Sequence, residues 1–214
     1  MRKLEIKEPV SCLTHFGGAV AALFCTVSLL FKAFPLGGSY IISFAVFGAT
    51  MILLYTASTV YHMLRVSKKI SRILQRIDHT MIFSLIAGTY TPACLIPLRG
   101  AWGWSILATV WVMAAVGTLM KLFWLNAPRL LSTAVYLIMG WVGVVAVVPL
   151  FRALSAPAFA LLVLGGLSYT AGALIFATKR PRFFPRYFGF HEVFHIFVML
   201  GSAFHVGFMF ALCA

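Results

Sequence analysis

Acid is what this sequence has least of: four Asp and Glu in 214 residues, with all charged residues together making only 10% of the chain. A soluble domain carries about a quarter charged residues, so a water-soluble globule and a disordered chain are both excluded. No two of the four cysteines (Cys12, Cys25, Cys94, Cys213) form a C-x-x-C pair, and each sits in or beside an apolar run. That excludes a disulfide scaffold and a thiolate metal site, and leaves them as small membrane-core residues. No lysine follows Lys179, so the last apolar run lacks the amine a retinal protein needs. No acid sits near the middle of an apolar run, which argues against a proton pump or cation transporter.

What is present is apolar: 62% of residues are hydrophobic, and the mean hydropathy is +1.01. A bilayer core about 30 Å thick takes about 20 helical residues to cross. Seven apolar runs of that order are bounded by charge, Pro or Gly, at 11–31, 39–64, 77–95, 102–124, 130–150, 157–178 and 188–212. The connections are short. The expectation is an all-α integral membrane protein, a single seven-transmembrane helix bundle over 1–214 with residues 1–10 as a short N-terminal segment. Residues 1–8 mix three bases with two acids, and the run that follows is longer than the apolar region of a signal peptide, so the first span reads as retained.

The net charge of +13 does not point to nucleic acid, because the bases flank the spans. Arg2, Lys3 and Lys7 precede the first span; Arg65, Lys68, Lys69, Arg72 and Arg76 fill the second loop; Lys121 and Arg129 flank the fourth; Lys179, Arg180, Arg182 and Arg186 fill the sixth. The opposite side holds only Lys32, Arg99 and Arg152. By the positive-inside rule the N-terminus is cytoplasmic and the C-terminus outside. In 65–77 the bases fall on one helical face and Val66, Ile70, Ile73 and Ile77 largely on another. That pattern suits either a helix lying in the interface and meeting anionic headgroups, or a solvated charge run that only sets topology. Gly17-Gly18 and Gly165-Gly166 permit close helix packing.

Ionisable groups inside spans are functional candidates by default. With this topology His62, Asp78, His191 and His195, from three spans, share one membrane depth near the cytoplasmic side. His191-Glu-Val-Phe-His195 stacks two imidazoles at i and i+4 on one face, and His62 offers a third nitrogen. Three histidines with an open position are the pattern of a catalytic zinc site. Asp78 is placed to accept a hydrogen bond from a reacting water or to orient a ligating histidine, and Ser58, one turn before His62, to hold the same water. Two histidines at this spacing are alone a weak signal, since packed helical histidines are common. His79 sits about 100° around the helix from Asp78 and is expected to face elsewhere, His15 to be interfacial, and His205 to be a hydrogen-bonded core residue or part of a polar path. Glu192 is expected to face away from its histidine neighbours and to meet a base such as Arg186, or interfacial water. Pro92 after Thr91 suggests a kink, with Thr89 and Tyr90 near the bend.

Ser58-Thr-Val-Tyr-His62, Asp78-His-Thr-Met, Ala87-Gly-Thr-Tyr-Thr-Pro92 and His191-Glu-Val-Phe-His195 together resemble the bacterial hemolysin III family, which groups with the progestin and adipoQ receptors and, more distantly, the alkaline ceramidases. The resemblance covers essentially the whole chain. It implies a Zn2+ ion held by His62, His191 and His195, with Asp78 and Ser58 accompanying the metal and its water. It also implies a bacterial inner membrane location and a role in membrane-lipid homeostasis or sensing. Hydrolysis of lipid amides or esters, as by the ceramidases, is the alternative, and haemolysis as a cytolysin a lesser one. The short N-terminal segment argues against the protein-hormone binding of the animal receptors.

Overall fold

The computed structural model describes residues 6–180 and 188–213; Arg2, Lys3, Arg182 and Arg186, counted above toward orientation, lie outside them. Eight α-helices, in chain order, are α1 (Pro9–Ala33), α2 (Gly38–Met63), α3 (Lys68–Leu95), α4 (Ala101–Phe123), α5 (Arg129–Trp141), α6 (Val147–Ala153), α7 (Ala156–Thr178) and α8 (Phe190–Ala211). Helices α5 and α6 are two halves of one pass, Arg129–Ala153, joined by a 3-10 segment at Val142–Ala146. Six passes are long and apolar enough to cross a membrane by themselves, and α3 supplies the seventh.

The exception of α3 has a simple cause. It begins at Lys68, where the Ser67 hydroxyl accepts from the Ile70 amide, and its first three turns carry Lys68, Lys69, Arg72 and Arg76. The separate interfacial helix considered for 65–77 is therefore the leading part of the third span, continuous with it. Ile70, Ile73 and Ile77 remain exposed there beside the bases. From Thr80 onward the helix becomes buried, contributing Phe83, Leu85, Ala87 and Ala93 to the core.

Neighbouring helices pack in sequence, α1 on α2, α2 on α3, α3 on α4 and α7 on α8; α8 also meets α1, and α5 meets α7. The interior is filled by Phe44, Phe47, Tyr55, Phe83, Phe208 and Met209, all fully buried, whereas Leu13, Phe24, Phe31, Val112, Phe123 and Phe151 face outward. That inversion of the soluble pattern suits a lipid surround, in which association rests on close packing and internal hydrogen bonds. Of the two glycine pairs only one member of each works at a helix contact. A Cβ on Gly18 would lie 2.9 Å from the Tyr55 ring and one on Gly165 would collide with His205, while Gly17 and Gly166 face open space.

Candidate metal centre

The last turns of α2 present Ser58 and His62, the third turn of α3 presents Asp78, and the first two turns of α8 present His191 and His195. The i, i+4 spacing puts the α8 pair on one face, with ring centroids 4.6 Å apart. The His62 Nε2 lies 3.4 Å from the His191 Nε2, and the His62 ring centre is 5.0 Å from that of His195. One ligand atom from each of the three lies within 4.8 Å of the others. His62 and His195 are buried, His191 half-buried. The Asp78 carboxyl faces Ser58 and His62. The residues singled out in sequence thus come together, and the structure defines a three-histidine cluster able to hold a metal ion.

The donor set fits such an ion on an observation independent of spacing. The His195 Nδ1 is buried without a hydrogen-bond partner, a state that is costly unless a ligand takes its lone pair. The His62 Nδ1–H donates to the Glu8 carboxylate, which leaves the Nε2 lone pair turned toward His191. A carboxylate behind a histidine in this way fixes the tautomer and raises ligand basicity. The bond from the His62 imidazole, aided by the Lys7 ammonium, holds the Glu8 carboxyl down at about 2 against the opposing effect of burial. The backbone reinforces the join, the amides of Lys7 and Glu8 donating to the carbonyls of Met63 and His62.

Glu8 carried no signal in the sequence beyond its place in a charged leader. His15 was expected at the interface and is instead buried, stacked on His195 at 3.6 Å between ring centres, with both ring nitrogens unpartnered. Its position in α1 faces inward because α1 packs on both α2 and α8. Glu192 accepts from the Ser11 hydroxyl at 3.0 Å and from the Gly189 amide at 2.8 Å, tying α1 to the start of α8; Arg186, its expected partner, lies outside the described residues. His205 is a buried core residue, its Nδ1 bonded to the Gly201 carbonyl and its ring stacked on Tyr169.

The cluster opens on an apolar cavity of about 460 Å³ that runs between the helices. Ser58, Asp78, His191 and His195 line one end together with His15, His79, Lys121 and Arg129. His79 lines the same cavity as Asp78 in spite of its 100° offset around α3. Lys121, read in sequence as a loop charge, is in the last turn of α4 and buried, its Nζ donating to the Ser132 hydroxyl at 2.6 Å.

The model of the haemolysin-III related family matches residues 4–206, a range that holds the first six passes, most of the seventh and the positions of the cluster. The chain belongs to the haemolysin III family. It is 42% identical over 200 residues to a hemolysin-3 homolog of Bacillus subtilis (strain 168), covering 92% of this chain and 91% of that protein. It is 38% identical over 204 residues to a hemolysin-3 of Bacillus cereus, covering 95% and 90%. This haemolysin III member is an integral membrane protein, and the inner membrane is its expected location.

Proposed function

We propose that the chain is a zinc-dependent membrane enzyme that hydrolyses a lipid amide or ester and so contributes to membrane-lipid homeostasis. The observation that carries this reading is that His191 and His195 of the three-histidine cluster, with Asp78 and Ser58 beside them, line an apolar cavity. A metal that only pinned helices together would be closed by a fourth protein ligand and would need no such access. Three imidazoles suit zinc as well as copper, iron or nickel, and zinc is the one of these that commonly serves hydrolysis from a three-histidine site with an open position.

When bound, zinc supplies Lewis acidity that polarises a carbonyl and makes water a nucleophile near neutral pH. His62, His191 and His195 hold it, with Glu8 fixing the His62 ring. Asp78 takes the proton of the attacking water and returns it to the leaving group. Ser58 orients that water by a hydrogen bond. The acyl chain lies along the cavity, and its carbonyl reaches the histidine end. Anionic headgroups are further proposed to dock on the concave patch formed by Lys68, Lys69, Arg72 and Arg76 at the start of α3, next to Arg65.

The relatives' name speaks of haemolysis, but a chain with this much outward apolar surface is suited to residence in its own membrane, not to transfer through water into another. Plasma mass spectrometry on detergent-purified protein, beside hydrolysis assays on acyl lipids, tests the reading. Stoichiometric zinc is expected in the wild type and in Asp78→Ala, and its loss in His191→Ala. Turnover is expected to fall by about 10²–10⁴-fold in Asp78→Ala. Metal-free folded wild type would refute the metal centre, and undiminished turnover in Asp78→Ala the role of that carboxylate.

A further inference from the structure

At the histidine end of the cavity, on the side of α4 and α5, stands a cation with no counter-charge among the described residues. Lys121 is 3% exposed and donates to the Ser132 hydroxyl. No carboxylate among the described residues lies within ion-pairing distance of it: Glu8 is engaged by Lys7 and His62, Glu192 by Ser11 and the Gly189 amide, and Asp78 faces Ser58 and His62. A buried ammonium held by one neutral hydroxyl is expensive in a bilayer, and such groups mark ligand sites. A lysine kept only for topology would extend its amine to the interface and stay wet.

The surroundings supply further donors. The Thr133 hydroxyl, next to Ser132 on the cavity wall, is buried and unpartnered. Arg129 also lines the cavity, its guanidinium 5.6 Å from the Phe176 ring centre and 5.9 Å from that of Phe190, with one N–H on the Phe176 carbonyl. An ammonium, a guanidinium and a free hydroxyl on one cavity wall offer more donors than a single carbonyl or amide accepts. They match the several oxygens of a phosphate. Away from this end the walls are apolar, with Leu85, Ile86, Ile106, Leu150, Phe159 and Leu162. Along α3 the lining runs from Asp78 to Cys94, about 24 Å at 1.5 Å per residue, room for an acyl chain.

We propose that Lys121, Arg129 and Thr133 form a phosphate subsite, and that the occupant of the cavity is an anionic phospholipid whose headgroup they hold and whose acyl chain fills the apolar length. The proposal deepens the hydrolase reading by naming its substrate class. Its test measures binding alone, so failure here leaves the metal centre standing, and a metal-free protein can still pass it.

Native mass spectrometry of the detergent-purified full chain, with phosphatidic acid, ceramide or inorganic phosphate added, decides the matter. Phosphatidic acid is expected to be retained at least about ten-fold better than ceramide. Lys121→Met is expected to abolish that preference and Lys121→Arg to keep it, with inorganic phosphate failing to displace the lipid. If Lys121→Met does not fold, Arg129→Gln and Thr133→Val, each expected to weaken the preference, carry the test. Equal retention of phosphatidic acid by wild type and variants would overturn the subsite. Binding of inorganic phosphate without lipid would overturn the lipid occupant.

Discussion

Glu8 stands just before the first helix and accepts the Nδ1–H of His62, so in the proposed centre it would hold a ring and not touch the ion. Glu8→Gln keeps the shape but exchanges a carboxylate for an amide, and removal of such a partner lowers metal affinity by about 10–100-fold. Titration of apo protein with zinc against a competing chelator is expected to show that loss while the circular dichroism stays unchanged; equal affinity would reduce Glu8 to a surface anchor. The three histidines, Asp78 and Ser58 were legible in the sequence because loop charges fixed the direction of each span, and direction turned sequence positions into depths. Glu8, His15 and Lys121 were not. A lone ionisable residue near a span end reads as topology or interface, and only the packing of α1 against α8 and the burial of Lys121 in the last turn of α4 reveal otherwise.

Among the helices, the fifth pass shows how an irregular segment survives in lipid. Between α5 and α6 the backbone tightens into the 3-10 turn of Val142–Ala146, and Tyr90 of α3 meets the break, its hydroxyl donating to the Gly140 carbonyl at 2.6 Å and accepting from the Gly143 amide at 2.8 Å. Non-helical backbone at membrane depth persists only where protein satisfies it. Tyr90→Phe strips two backbone groups of their partner, and a loss of about 1–3 kcal/mol follows from leaving them unmet. A lowered unfolding temperature in detergent is the expected outcome; an unchanged one would mean that the turn closes without the tyrosine. The seven runs predicted the passes well because apolar length dictates them. The break was hidden, since Gly140 and Gly143 in an apolar run look like ordinary membrane-helix glycines, and the early start of α3 was blurred by its dense charge.

For the molecule as a whole, the histidine cluster joins α2 to α8, helices otherwise separated by most of the chain. A ligand that binds only the folded form stabilises it by about 2.7 kcal/mol at a hundred times its dissociation constant. Chelation is therefore expected to lower the unfolding temperature of the wild type and to leave His191→Ala, already without its metal, unmoved. Identical chelator responses in the two proteins would separate the cluster from stability.

The cluster and its support also have an order in time. Glu8 emerges from the ribosome first, His62 soon after, and His191 and His195 only with the last span. Every earlier stage of synthesis carries some of the histidines without the cluster, so the proposed metal would be taken up only after complete insertion. A chain arrested before α8 would hold six membrane passes and only one of the three histidines, so on the proposed reading metal loading would separate finished molecules from abandoned ones.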